Sequence, residues 1–264
     1  WDKELNLYYL QTRYYDPETG RFINADCITY SAPIIVNGLN LYSYCANNPI
    51  LRFDPNGNSF WKNVGKVIGG ALLLLAGAAT ALLTLPIAVS VPGCGFLTQV
   101  GFSTASYGGL MIGSVFDSQI QADMDEIGWN PFNKNENAVL NSTKVSFYKG
   151  IPIFRKEAGF RSGSFLCILL ARGDDVNDLR HEWGHTIQQG ILGAVRYGLM
   201  IGIPSWQSWG KKDYYDKPWE VTADYFGGVE GRSHKDHDIS AGINYLAAVA
   251  IWGILGTLFL IGEY

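Results

Sequence analysis

The chain has 264 residues, 47% of them hydrophobic, and a formal net charge of −4. That length suits one large domain or two modest ones with a sizeable core, and the slightly acidic balance gives no electrostatic pull towards nucleic acid, so no nucleic-acid partner is expected. Four widely spread cysteines (Cys27, Cys45, Cys94 and Cys167) form no C-x-x-C pair, which argues against a disulfide framework or a thiolate zinc site and for buried free thiols.

The sequence opens on Trp1 rather than Met and shows no signal peptide, as expected of a piece of a longer protein. Residues 1–58 are aromatic and turn-rich. Short alternating runs such as Leu7–Leu10 and Phe22–Ile23 lie between turn signals at Asp16-Pro17-Glu18-Thr19-Gly20 and Asp54-Pro55-Asn56-Gly57, which predicts β-hairpins. Through Tyr15–Phe22 ("YDPETGRF") and Asn40–Pro49 ("NLYSYCANNP") this segment resembles the terminal part of an Rhs/YD-repeat core. The resemblance implies a β-shell whose end borders a variable toxin domain. It also implies a secreted or cell-surface bacterial protein, with the Rhs shell of the same protein and an immunity protein as partners. Many members cleave themselves with aspartates in two D-P-x-G-L motifs. Here those positions read Asp26-Cys27-Ile28-Thr29 and Asp54-Pro55-Asn56-Gly57-Asn58. Both depart from the pattern, and turn formation is the plainer reading of the two aspartates.

Charged residues vanish from Val67 to Phe116. Val67–Val89 is long enough to cross a bilayer as a helix, and Cys94–Phe116 is a weaker second run, with a turn at Pro92-Gly93 between them. Gly65-x-x-x-Gly69 and Gly109-x-x-x-Gly113 would let helix backbones approach. A membrane hairpin is favoured over a buried soluble one, because two adjacent uncharged spans are hard to bury in a domain this small. Residues 117–143 read as a helix end and loop. Lys144–Lys156, turning at Lys149-Gly150, and Ser162–Gly173 then predict a small antiparallel sheet.

Asp174 or Asp175 could cap a helix carrying "LRHEWGHTIQQG" (Leu179–Gly190), with Gly190 ending or bending it. Ile191–Pro204 is a short apolar helix. Asp216–Gly228 predicts a helix starting at Pro218 and stopping at Gly227-Gly228. Ala241–Gly262 is a third candidate span. Trp206 and Trp209, close to Lys211 and Lys212, fit a membrane-interface belt or an ordinary surface loop.

Residues four apart share a helix face, so His181 and His185 can both offer a ring nitrogen to one metal ion. Glu182 beside them can take the proton of an attacking water and pass it to a leaving amine. A catalytic zinc (Zn2+) usually takes three protein ligands. Glu220, on the later helix, is the best third ligand. Asp224, one turn on, can accept the second N–H of a ligating histidine. The two motifs, His181-Glu182-x-x-His185 and Glu220-x-x-x-Asp224, resemble the gluzincin class of zinc peptidases. That resemblance implies His181, His185 and Glu220 as ligands, Glu182 as general base and Asp224 as orienting group. The long metzincin motif would need a histidine where Ile191 stands. The stretch over residues 137–230 also resembles a group of bacterial peptidase-like proteins with H-E-[YFW]-G-H-T-x-Q.

Tyr214, Tyr215, His234 and His237 are candidate stabilisers of an oxyanion. Ser162–Ala171, just before the motif helix, is the candidate strand for an extended peptide substrate. The expected fold class is therefore α+β, with a β-rich Rhs-core end over 1–58 and a mainly helical zincin-like domain over 59–264. The expected function is zinc-dependent peptide hydrolysis by the toxin payload of an Rhs-type protein, with a protein or peptide substrate and membrane association through the apolar helices. Two alternatives compete: a membrane-inserting module with a non-catalytic metal site, for which Glu182 would be dispensable, and a purely structural shell piece with no metal dependence.

Overall fold

The computed structural model of the chain describes residues 1–26, 40–49, 54, 57, 60–157, 160–232 and 239–261. The fold is α+β. The chain divides into two compact units, Trp1–Leu72 with Gly108–Ser118, and Leu73–Tyr107 with Gln119–Tyr264.

The first unit begins with an antiparallel meander of β1 (Tyr8–Leu10), β2 (Arg13–Asp16) and β3 (Arg21–Phe22). Tyrosines pair across it, Tyr8 with Tyr15 and Tyr9 with Tyr14, so ring contacts hold a ribbon too small for a core of its own. The turn after β2 forms because the Asp16 carboxylate accepts from the Glu18 amide (2.9 Å) and the Thr19 hydroxyl (2.8 Å), while Gly20 takes φ +69°. Arg13 is buried under this turn. Its guanidinium stacks on Phe22 at 3.6 Å and pairs with Asp26 (3.2 Å) and Asp54 (3.6 Å). Asp26 and Asp54 thus share one buried cation, while Cys27-Ile28-Thr29 and Pro55-Asn56, with which they were expected to form turns, lie outside the described residues.

Helix α1 (Phe60–Ser90) and helix α2 (Gly95–Phe116) follow. Their close approaches fall at Gly70 and Gly77 rather than at Gly65 and Gly69. A Cβ on Gly70 would meet Gly108 O at 2.6 Å, and one on Gly77 would meet Ala105 N at 2.2 Å, whereas Gly65 meets nothing within 4 Å and Gly69 only a Met111 methyl at 3.5 Å. The G-x-x-x-G spacing is a local pattern, and which helix face meets a neighbour is set by the crossing. Among the described residues one helix, Asn63–Val89, is long and apolar enough to cross a membrane, and Leu72, Leu75, Leu82 and Leu83 on it are exposed. The second expected span falls short because Thr98, Gln99, Ser103, Thr104 and Ser114 dilute it. Helix α9 (Ile239–Ile261) forms where the third was expected, with residues 262–264 outside the described residues.

The second unit holds the larger sheet. Helix α3 (Ser118–Glu126) and helix α4 (Glu136–Asn141) lead into β4 (Val145–Tyr148), β5 (Ile151–Lys156), β6 (Gly163–Phe165) and β7 (Cys167–Ala171). The Asp123 carboxylate accepts the amides of Thr143, Lys144 and Val145 at 2.7–3.0 Å, anchoring α3 to β4. Lys149 and Gly150, both at positive φ, make the two-residue β4–β5 turn. The strand order is β4-β5-β7-β6, and β5 pairs with β7 in parallel, so the sheet is mixed rather than antiparallel. The run read as one strand, Ser162–Gly173, folds back at Leu166 (φ +60°) into β6 and β7, and β6 becomes the edge. Alternation of apolar residues marks a strand but carries no pairing direction. Val139, Tyr148, Ile153, Ile168, Leu170 and Leu179 form the core beneath the sheet. Cys45, Cys94 and Cys167 form no disulfide among the described residues; Cys27 lies outside the described residues.

Candidate metal centre

Helix α5 (Val176–Leu192) carries the H-E-x-x-H motif. Asp175 caps it: its side chain accepts from Asp178 N (3.0 Å), and the Asp178 carboxylate accepts from Asp175 N (3.2 Å). Gly190 neither ends nor breaks it, and Gly193 (φ +78°) stops it. A short helix α6 (Ala194–Tyr197), a π turn (Gly198–Gly202) and helix α7 (Ile203–Ser208) follow, and helix α8 (Pro218–Gly227) ends on the left-handed Gly228.

Helices α5 and α8 cross with their backbones in contact. A Cβ on Gly184 would sit 1.9 Å from Ala223 O, and one on Gly227 would sit 2.1 Å from Arg180 O. That closeness brings the carboxylates of α8 to the histidines of α5. His181 Nε2 lies 3.0 Å and His185 Nε2 3.3 Å from the same oxygen, Glu220 Oε2. All three ligand atoms fall within 4.8 Å of one another and all three residues are buried. The two distances are close to the edge of a tetrahedron with zinc–ligand bonds of about 2.1 Å, which is about 3.4 Å. The donor set of two imidazoles and a carboxylate fits zinc.

Each ligand is fixed from behind. His181 Nδ1–H donates to Asp224 Oδ1 at 2.5 Å, and His185 Nδ1–H donates to Gln188 Oε1 at 2.7 Å, which leaves both Nε2 atoms facing Glu220. The Gln188 amide is itself held, since its Nε2 donates to Trp219 O (2.6 Å) and Thr222 Oγ1 (2.7 Å). Asp224 is braced by Arg232 at 3.1 Å. Glu220 accepts from the Ser205 hydroxyl through Oε1 (2.7 Å), which turns Oε2 to the histidines. Ser205 meets the Tyr214 hydroxyl at 3.0 Å, and Arg161 donates to both Tyr214 (2.5 Å) and Ser205 (3.2 Å).

The electrostatics favour a positive charge at the centre of this set. Burial works to lower the His181 pKa, but the hydrogen bonds to Asp224 and Glu220 outweigh it and hold it up at about 10. Burial works to raise Glu220, and the two histidines override it and keep it well below the usual carboxylate range. A metal ion must displace the His181 proton, so its apparent affinity rises with pH below about 10, by about tenfold per unit for one proton lost. Zinc titration against a chelator at pH 6, 7 and 8 reads this slope, and a flat profile would mean that no proton leaves His181 on binding over that range. Asp224→Ala should weaken zinc binding by about 10–100-fold while leaving the fold intact, as measured by the same competition.

Glu182 does not join the ligand cluster. It is 8% exposed, and its Oε2 has no hydrogen-bond partner among the described residues. It lines a cavity of about 400 Å³ together with His185, Ser164, Phe165, Tyr197, Tyr214 and Arg161. Burial raises its pKa, against the pull of His185 and His181. A carboxyl shifted towards neutrality in a cavity beside a cation site is suited to taking and returning a proton.

Of the other predicted residues, Tyr214 lines the cavity. Tyr215 stands 6.2 Å from the His181 ring and lies under Arg232, so it packs on the ligand rather than facing the cavity wall. His234 and His237 lie outside the described residues. Trp206 and Trp209 are exposed; Trp206 lines the cavity and Trp209 stacks with Arg161 at 5.3 Å. Sequence reasoning met Gln188 and Gly184 only within the H-E-[YFW]-G-H-T-x-Q resemblance and Gly227 only as a helix end, and did not single out Ser205, Arg161 or Arg232. Gln188 carried a signal, being three residues after His185 on the same face. The others become visible only when α5, α7 and α8 meet.

No family model and no solved structure matches the chain. Curated proteins match it over short stretches. The tRNA nuclease WapA of Bacillus subtilis (strain 168) is 39% identical over 61 residues, which is 23% of this chain and 3% of that protein. Toxin protein Tse5 of Pseudomonas aeruginosa is 41% identical over 56 residues, 21% of this chain and 4% of that protein. Salivary gland surface protein 1 of Aedes aegypti is 34% identical over 82 residues, 31% of this chain and 2% of that protein. The chain thus spans only a few per cent of the length of these relatives, and its likeness to a bacterial toxin and a bacterial nuclease is partial.

Proposed function

We propose that the chain is the end of an Rhs-type bacterial toxin, with residues 59–264 forming a zinc-dependent peptidase effector. The single observation that carries this reading is the buried His181–His185–Glu220 cluster with Glu182 beside it. The toxin context rests on the partial likeness to Tse5 and WapA and on the Rhs-type motifs over 1–58.

His181, His185 and Glu220 would hold the ion. Zinc, when bound there, supplies a Lewis acid that polarises a substrate carbonyl and makes water more acidic. Glu182 takes the water proton and hands it to the leaving nitrogen. Tyr214, held by Arg161 and Ser205, is the hydroxyl in reach of developing negative charge on the carbonyl oxygen. The edge strand β6, whose Gly163, Ser164 and Phe165 line the cavity, is the strand with which an extended peptide would pair. The rest of the reading is a secreted effector that associates with membrane through α1, with an immunity protein and the Rhs shell as partners.

A second reading follows from the WapA likeness: a metal-dependent hydrolase acting on RNA. The first test is elemental analysis. One zinc per chain in the wild type, sharply reduced in His181→Ala and Glu220→Ala, is expected. A folded wild type without stoichiometric metal would sink the hydrolase reading and favour a membrane-inserting module with α1 as its active part. Incubation of the zinc-loaded chain with denatured protein and with tRNA then separates the substrates: proteolysis that Glu182→Gln abolishes supports the peptidase, and RNA cleavage abolished by that variant supports the nuclease.

A further inference from the structure

The motif helix has a second cavity on its other flank. His181 and His185 face the metal centre and Glu182 the cavity beside it, while Trp183, Thr186 and Ile187 line a separate space of about 390 Å³, inside the range of about 300–1,000 Å³ typical of small-molecule sites. The metal-centre reading does not use it. Its walls are mainly apolar, supplied by Leu73 of α1, Phe96 and Val100 of α2, Phe132, Trp183 and Ile187.

The polar groups along these walls are mostly engaged elsewhere. Tyr107 donates to Trp129 O (2.9 Å), Thr104 to Val100 O (2.9 Å), Thr186 to Trp183 O (2.7 Å) and Gln99 to Thr186 O (3.2 Å). They turn carbon to the cavity. Two groups differ. The buried Ser103 hydroxyl has no hydrogen-bond partner among the described residues, so it can donate to an oxygen of an occupant. The Lys149 ammonium, on the β4–β5 turn, sits over the rings of Trp183 (4.1 Å) and Tyr148 (4.7 Å) at the same cavity. It is the only cationic side chain among the lining residues.

We propose that this cavity binds a single acyl chain carrying an anionic head, with the chain between α2 and the Trp183 flank of α5 and the head at Lys149. Apolar walls remove the chain from water, and an ammonium lodged against aromatic faces is only partly hydrated, which favours an anion beside it. Leu73 belongs to the helix long and apolar enough to cross a membrane, so the same chemistry can arrive as a free fatty acid or as one chain of an anionic lipid.

The test is titration of the full chain with parinaric acid, a fluorescent fatty acid, with oleate as competitor. Saturable binding of one probe per chain is expected. Ser103→Trp, which fills the cavity, should weaken it at least ~10-fold. Lys149→Glu should weaken the acid but not the corresponding fatty alcohol. Circular dichroism and zinc content check that each variant is folded, and Lys149→Glu, on a surface turn, decides the matter if Ser103→Trp does not fold. Absence of saturable binding, or binding unchanged in a folded variant, overturns the proposal. Flotation with phosphatidylglycerol against phosphatidylcholine vesicles separates the sources. Phosphatidylglycerol binding lost in the variants assigns a membrane lipid, and vesicle binding insensitive to them alongside variant-sensitive parinaric acid binding assigns a free acid.

Discussion

Glu182→Gln is expected to keep one zinc per chain and to lower hydrolysis by about 10²–10⁴-fold, the range for losing a positioned general base. The separation of the two readouts follows from geometry. His181, His185 and Glu220 converge on one point, whereas Glu182 faces the neighbouring cavity. Glutamine has nearly the same volume, so packing around it is preserved. The substitution also bears on stability. Burial raises the Glu182 pKa above its unfolded value, so the ionised carboxylate costs stability at pH values above that unfolded value, and the cost grows until the folded group is ionised. The glutamine variant should therefore melt no lower than wild type near neutral pH, and higher as pH rises. Zinc content and melting temperature measured beside activity give a clear result. Retained metal with retained activity would remove Glu182 from the mechanism, and loss of metal would make it a ligand.

Gly184→Val should be the most damaging single change outside the ligands. The backbones of α5 and α8 touch where a Gly184 side chain would start, 1.9 Å from Ala223 O. No rotamer relieves a clash of Cβ with a backbone carbonyl, so α8 must move away. Overpacking of this kind costs about 1–3 kcal/mol and sometimes more, and a branched side chain adds to it. The functional loss should exceed the stability loss. Glu220 and Asp224 both ride on α8, and a shift of even 1 Å takes them out of reach of His181 and His185. We expect a fall in melting temperature together with zinc binding too weak to survive dialysis. Gly65→Ala, where a Cβ meets nothing within 4 Å, should leave zinc binding unchanged and is the matched control. Normal zinc content in Gly184→Val would mean that the crossing tolerates more separation than the coordinates allow.

Much of the site could be read along the chain because its parts are local. A spacing of four places His181 and His185 on one helix face, and Glu220 and Asp224 repeat that spacing on α8. Pro218 and Gly228 mark the ends of α8 by their own backbone preferences, and Asp175 caps α5 through a side chain three residues from its partner. The α+β class followed from two kinds of periodicity. The turn at Asp16–Gly20 carried its own chemistry as well.

What local sequence could not decide was every feature that depends on which surfaces meet. Alternation marked β5 and β7 as strands, but their parallel pairing, with β6 at the edge, required the chain to return across the sheet. The small residues at Gly65 and Gly69 formed a motif, yet the contacts fell to Gly70 and Gly77 because the helix crossing chose that face. The pairing of Asp26 and Asp54 with Arg13 joins residues far apart in the chain, which no local pattern shows. Ser205 and Arg161 came to support the cluster only once α7 and α8 closed on α5. The sequence by itself determined the candidate ligands and the helices that bear them, since those are matters of residue type and spacing within one element. The tertiary structure alone decided that His181, His185 and Glu220 share one point and that Glu182 faces a cavity, since those distances arise from the close crossing of two helices far apart in the chain.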